Sequence, residues 1–150
     1  MPPICYLSRT EHFSAAHRLH SPYLSDEENR LLFGKCNNAN GHGHNYVLET
    51  VVGGSIDKKT GMVANMEDLK RWISTAVLDV LDHRNLDVDI AYFKNRPSTV
   101  ENLAVFIWIR LTQTVPAGLL QKIIVSETPK NKVIFAGEGL TKTELEECLL

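Results

Sequence analysis

Cysteine is scarce: the 150 residues hold three, Cys5, Cys36 and Cys148, an odd number at wide spacing. That pattern builds neither a disulfide framework nor a Cys-x-x-Cys zinc site, so each is expected to be a free thiol. Basic residues are not in excess either. Sixteen Lys and Arg against 18 Asp and Glu leave a formal net charge of -2, and no Lys/Arg block interrupts the chain. The electrostatic footprint of a nucleic-acid binder is therefore missing. No apolar run approaches the roughly 20 residues of a membrane-spanning helix. Met1 to Tyr6 lacks the charged flank and apolar segment of a signal peptide. The expectation is a cytoplasmic protein without membrane or nucleic-acid partners.

What is present suits one globular domain, with 43% hydrophobic and 23% charged residues over residues 1–150. Ile4 to Arg18 is β-compatible, and Phe13, Ala15 and His17 share one face of an alternating strand. Ser25-Asp-Glu-Glu28 is a capping-box signature for a short helix through Phe33, stopped by Gly34, within a long polar loop. His44 to Val52 reads as a second strand ended by Gly53-Gly54, with a turn at Asp57 to Gly61, and a first hairpin follows. Asn65 caps a helix whose apolar positions Leu69, Trp72, Ile73, Ala76, Val77, Val80 and Leu81 recur at three and four, ending near Asp82-His83. Ser98-Thr-Val-Glu101 reads as another capping box, opening a helix over Leu103 to Leu111. Leu119 to Glu127 and Lys132 to Ala136 form a closing hairpin. Two strands, two helices and two strands predict an α+β domain with helices on one face of an antiparallel sheet. Leu48, Val51, Ile123, Ile124 and Val125 place apolar residues on both parities. Burial of both faces, the second by self-association, is the expectation.

His42-Gly43-His44 sets two imidazoles on one face of an extended segment, close enough to share a metal. Taken alone, the pair reads equally well as a polar turn. His17 is the best third ligand, because its strand can pair with the one that starts at His44. His12 falls on the opposite parity and His20 lies in the loop, so neither is favoured. Three neutral imidazoles suit zinc with a fourth position open to water or substrate.

The block Phe33-Gly-Lys-Cys-Asn-Asn-Ala-Asn-Gly-His-Gly-His-Asn-Tyr46, preceded by Phe13-Ser-Ala-Ala-His17-Arg-Leu19, closely resembles the 6-pyruvoyl-tetrahydropterin synthase family. Leu24 to Asn29, Leu81-Asp-His-Arg-Asn-Leu-Asp87, Ser98 to Asn102 and Glu127-Thr128 look like further landmarks of that family, in order, over roughly Ile4 to Glu138. The resemblance implies the tunnelling fold: a four-stranded antiparallel sheet with two helices per subunit, trimers that close a β-barrel, and a homohexamer made of two trimers. It implies zinc-dependent elimination of triphosphate from 7,8-dihydroneopterin triphosphate with internal redox rearrangement, in tetrahydrobiopterin synthesis, with Mg2+ accompanying the triphosphate.

The same resemblance assigns roles. Zinc falls to His17, His42 and His44, the catalytic base to Cys36, and an acid-imidazole pair to Asp82 and His83. Glu127, a strand carboxylate of the same parity as Ile123 and Val125, would accept two parallel donors of the pterin. Thr99 and Glu101 match a second pterin-contacting segment, although Val100 stands where the family often has a threonine. The cations for the triphosphate, among Arg9, Arg18, Lys35 and others, stay open. Gly139 to Leu150 runs beyond the landmarks as a C-terminal extension, where Thr143-Glu-Leu-Glu146 can cap a short helix. Two other functions compete: 6-carboxytetrahydropterin synthase of the same fold, which usually has a shorter Cys to His-Gly-His gap, and an inactive zinc- or pterin-binding scaffold.

Overall fold

The computed structural model describes residues 2–149. Met1, at the head of the stretch read for a leader, and Leu150, the last residue of the extension, lie outside the described residues. Strands β1 (Ile4–His17) and β2 (His42–Ser55) pair antiparallel along their whole length, from Ile4 opposite Ser55 to His17 opposite His42. Alternation turns Phe13, Ala15 and His17 of β1 and Tyr46, Leu48, Thr50 and Val52 of β2 into the core. The glycines expected to end β2 lie inside it. At Gly53 the Tyr6 ring crosses so closely that a Cβ would stand 2.5 Å from Tyr6 Cδ1, which makes this glycine a point of close approach and not a stop.

Between these strands the chain leaves the sheet. Helix α1 (Asp26–Phe33) opens on a reciprocal box: Ser25 Oγ accepts from the Glu28 amide, and the Glu28 carboxylate accepts from the Ser25 amide. Gly34, at φ 56°, ends it, and a 3-10 turn over Gly34–Asn37 carries Cys36. After β2, Asn65 caps α2 (Met66–Ile73), which widens into a π-turn over Ser74–Leu78 and finishes as α3 (Asp79–Leu81). The predicted stripe faces inward: Leu69, Ile73, Ala76, Val77 and Leu81 are buried, with Trp72 and Val80 at its margin.

The stretch that follows is more ordered than a loop. β3 (Arg84–Asn85) runs parallel to β1 beside Ala15 and Ala16, and α4 (Leu86–Asp89) and a 3-10 turn over Ala91–Phe93 come next. The sheet therefore has five strands in the order β3-β1-β2-β4-β5, one more than the antiparallel four expected. Two residues carry no alternation to read, which is why the sequence does not disclose β3. Helix α5 (Val100–Thr114) is capped by Thr99, whose hydroxyl accepts from the Asn102 amide. The expected Ser98–Glu101 box is thus displaced by one residue, and Ser98 is fully buried against β1 instead. β4 (Leu120–Thr128) and β5 (Asn131–Phe135) close the sheet, and α6 (Lys142–Cys148) follows, capped by Thr141 with Glu144, two residues before the expected position.

One apolar cluster joins Leu48 and Ile123 of the sheet to Ile73 and Ile107 of the helices, all on one face. Among the described residues no helix covers the opposite face, and Ile4 and Tyr6 stand 56% and 68% exposed at its end. Among the described residues no helix is long and apolar enough to cross a membrane. Ile107→Ala, at a fully buried site, is expected to remove about 2–5 kcal/mol of stability, whereas Leu31→Ala on the exposed side of α1 stays within about 0.5 kcal/mol. Equilibrium urea unfolding checks this, and equal losses would place the stabilising core elsewhere.

Candidate active site

The register of β1 and β2 builds the centre of the site. His17 lies directly across from His42, and His44 follows two residues on, along the same face. The three rings meet edge to face, with centroids 4.6 Å apart for His17–His42, 5.2 Å for His17–His44 and 4.9 Å for His42–His44. One ligand nitrogen from each lies within 4.8 Å of the others. His17 Nδ1–H donates to the Ser98 carbonyl at 2.8 Å, which fixes the tautomer and leaves the lone pair on Nε2.

Nε2 of His17, both ring nitrogens of His42 and Nε2 of His44 are buried without a hydrogen-bond partner. So many orphaned nitrogens in one place are destabilising unless something binds them. Burial pushes the His17 imidazole below its usual range, against the opposing pull of the Ser98 carbonyl, and burial does the same to His44 against Glu127. Neutral rings are the ligating form. With three imidazoles and, among the described residues, no fourth side chain in the cluster, the donors fit a divalent metal with an open position. His12 is exposed on the other face and His20 is engaged by Asn37, so neither joins. The step into His42 requires glycine: Gly41 has φ 75°, and a Cβ there would meet the His17 carbonyl oxygen at 2.9 Å.

Glu127 comes to the cluster from β4. It continues the inward parity of Ile123 and Val125, and the register of β4 with β5 shifts between Ser126 and Thr128 beside it. Its Oε1 stands 3.5 Å from His44 Nε2. Among the described residues no amide or hydroxyl donates to this carboxylate, which leaves it free to accept from a ligand.

Asp82 and His83 follow α3 and clip onto β1. The Ser14 amide donates to Asp82 Oδ1 at 2.9 Å, and the His83 amide donates to the Ser14 carbonyl at 2.7 Å. This double clip holds His83 at φ 64°, a left-handed conformation uncommon for a residue with a side chain. Asp82 Oδ1 also lies 3.0 Å from His83 Nδ1. The Ser14 amide first, and the His83 ring with it, keep the Asp82 carboxyl below the usual range. The His83 ring is 84% exposed on an open cleft of about 560 Å³ that it shares with His44, Asn45 and Arg84.

Cys36 lies elsewhere. Its turn is tied to β1 by the Leu19 amide, which donates to the Cys36 carbonyl at 2.9 Å, and its half-buried thiol makes no hydrogen bond. His83 is anchored at Ser14 within β1 and the Cys36 turn at Leu19, just past the end of that strand. Among the described residues no hydrogen bond joins Cys36 to His83, and the cleft that His83 lines does not include Cys36. Thr99 and Glu101 sit at the start of α5, next to the Ser98 contact; the Thr99 hydroxyl is engaged in the cap, and Glu101 is exposed. Arg9 is paired with Glu11, whereas Arg18, Arg30 and Lys35 line one cleft beside the Cys36 turn with no ion pair among the described residues.

Sequence reasoning missed two members of the site. Ser98, 81 residues from His17, gave no signal beyond its place in an apparent cap. Tyr46 was readable, because it continues the parity of His42 and His44. Its ring packs 5.6 Å from His44, its hydroxyl is buried without a partner, and burial raises its pKa far above the ordinary value.

Comparison with known proteins agrees with this arrangement. The family model for 6-pyruvoyl tetrahydropterin synthase matches residues 6–138. The chain is 56% identical over 137 residues to the 6-pyruvoyl tetrahydrobiopterin synthase of Drosophila melanogaster, covering 90% of this chain and 81% of the relative. It is 54% identical to the Homo sapiens enzyme of that name over 132 residues, 88% and 91% of the two chains. The solved structure of the Caenorhabditis elegans 6-pyruvoyl tetrahydropterin synthase superposes with a TM-score of 0.88 at 47% identity, over 91% of this chain and 97% of that one. With the family model spanning most of its length and two such close relatives, this chain belongs to the 6-pyruvoyl tetrahydropterin synthase family.

Proposed function

We propose that the chain performs the reaction of its family: loss of triphosphate from 7,8-dihydroneopterin triphosphate and internal rearrangement to 6-pyruvoyl-tetrahydropterin, in tetrahydrobiopterin synthesis. The chain is a carbon-oxygen lyase acting on phosphates. The observation that carries the proposal is the cluster of three imidazoles with unpartnered, buried ring nitrogens, beside the Glu127 carboxylate 3.5 Å from His44. A metal-binding set and an acceptor for a donor pair stand side by side, as a hydroxylated pterin requires.

Zinc is the proposed ion on His17, His42 and His44, and when bound it would supply Lewis acidity to the vicinal hydroxyls of the substrate. Glu127 accepts the amino group and adjacent ring N–H of the pterin together, which sets its orientation. Thr99, through its backbone, and Glu101 offer contacts from the start of α5. The Cys36 thiolate takes the proton from the carbon next to the hydroxyl, the carbon-oxygen bond to triphosphate breaks, and His83, held by Asp82, accepts and returns protons. Arg18, Arg30 and Lys35, free of carboxylate partners, are the proposed cations for the triphosphate, with Mg2+ as its counterion.

The partnership of Cys36 and His83 is proposed across a boundary between copies, a reading supported by the absence of Cys36 from the cleft that His83 lines. The uncovered sheet face supports the same reading, in which trimers close a barrel and two trimers form a homohexamer. Residues 1–150 are taken as one domain with 139–150 an extension beyond the matched 6–138. A cytoplasmic location is proposed as well, supported by three unpaired cysteines, which suit a reducing compartment.

Three outcomes are expected. His42→Ala should purify without zinc while His12→Ala keeps it, by elemental analysis; equal contents in both would overturn the ligand set. Dihydroneopterin triphosphate supplied with Mg2+ should yield inorganic triphosphate and the 6-pyruvoyl product. Release of acetaldehyde with a carboxylated pterin would assign the 6-carboxytetrahydropterin synthase reaction instead. Cys36→Ala and His83→Ala should each lose about 10²–10⁴-fold in rate. Refolding the two variants together should restore a share of the activity if the pair forms between copies, and no recovery would refute that arrangement.

A further inference from the structure

The C-terminal helix lies outside the matched family region, and it packs back onto the core. Leu140 and Leu145 rest on the apolar cluster, and Cys148 is buried with its thiol against the Phe106 carbonyl of α5 at 3.8 Å. Burial there pushes the Cys148 thiol up to about 11, so it acts as a packing group and not as a reactive thiolate. Seated in this way, α6 directs Glu147 at Arg96, and the two side chains form a hydrogen-bonded ion pair.

Arg96 is the significant end of that pair. Its guanidinium stacks over the Tyr92 ring, 3.8 Å from the centroid, and is only 19% exposed. Nη1 is buried without a partner, and Glu147 is the carboxylate in direct contact with this largely desolvated cation, with Glu144 of the same helix near enough to feel its charge. Two residues on, past the fixed φ of Pro97, the Ser98 carbonyl accepts from His17 Nδ1 at 2.8 Å. Downstream this segment is held by Asn102, whose Nδ2 donates to the Pro97 carbonyl at 2.8 Å, and by the Thr99 cap. Upstream, the side-chain anchor is Arg96.

We propose that Glu147 and Arg96 are positioning residues for the metal centre: α6 braces the 96–98 segment so that the Ser98 carbonyl orients the His17 ring. This rests on the metal reading of the three-histidine cluster. Partners that orient a ligating imidazole typically change metal affinity by about 10–100-fold when removed. In the full-length protein, Glu147→Gln keeps the size of the side chain and removes its charge. The Arg96 cation then loses its directly paired carboxylate and keeps only the more distant Glu144, so the segment that carries Ser98 is held less firmly.

The test is titration of metal-stripped protein with Co2+, following the visible absorption of the bound ion in competition with a chelator. Glu147→Gln is expected to weaken Co2+ binding by about tenfold and to alter the band shape, because the His17 ring is less well oriented. Asn65→Ala, which removes the cap of α2 far from the brace, serves as a control for lowered stability and is expected to bind Co2+ as the unaltered chain does. Unchanged affinity and spectrum in Glu147→Gln, or an equal loss in Asn65→Ala, would overturn the brace. If the unaltered chain takes up no Co2+, the metal reading itself fails, and with it the basis of the brace.

Discussion

The in-register pairing of β1 with β2 is the constraint on which the rest depends. Fourteen consecutive partners, ending with His17 opposite His42, leave no freedom in which side chains face the core. A slip of one residue would turn every β1 side chain to the other face, separating His17 from His42 and the Phe13 ring from Tyr46, stacked 5.1 Å away. The same strand organises the rest of the site. Its edge receives β3 at Ala15 and Ala16, Ser14 clips the Asp82-His83 step, and Leu19 just beyond it ties down the turn of Cys36. One strand therefore sets the metal cluster, the acid-imidazole pair and the cysteine at fixed distances from one another.

Departures from regular structure gather around this strand end. His83 is left-handed, Gly41 is left-handed against the His17 carbonyl, β4 bulges at Glu127, and several imidazole nitrogens are buried without partners. Each is unfavourable in isolation and is held by stronger surroundings, as expected where a fold is shaped to bind rather than only to pack. Helix α5 beneath is regular. Leu103, Ile107, Ile109 and Leu111 of α5 are fully buried aliphatics, so the helix layer supplies stability while the strand ends supply chemistry.

How much of this was legible follows from the range of each signal. The alternation Phe13-Ala15-His17, the stripe from Leu69 to Leu81 and the Ser25–Glu28 box are local patterns, and the matching elements form where they predict. β3 was not legible, because two residues have no period. The role of Ser98 was not legible either. A serine followed at the third position by a glutamate looks the same whether it caps a helix or faces a histidine 81 residues earlier in the chain. The cap itself moved to Thr99 for the same reason, since the tertiary contact claims Ser98.

By itself, then, the sequence determined the class of fold and the candidate metal ligands, because hydrophobic period, capping boxes and the spacing in His-Gly-His act through neighbours a few positions apart, while the family was legible in the resemblance of landmarks spread in order along the chain. Only the tertiary structure decided the relations among them. It set the tautomer of His17 through Ser98 and placed the Glu127 carboxylate of β4 3.5 Å from His44 of β2. Those outcomes depend on register and on where distant strands and helix ends meet. No window of sequence contains that information, because it arises only when the sheet closes over its core.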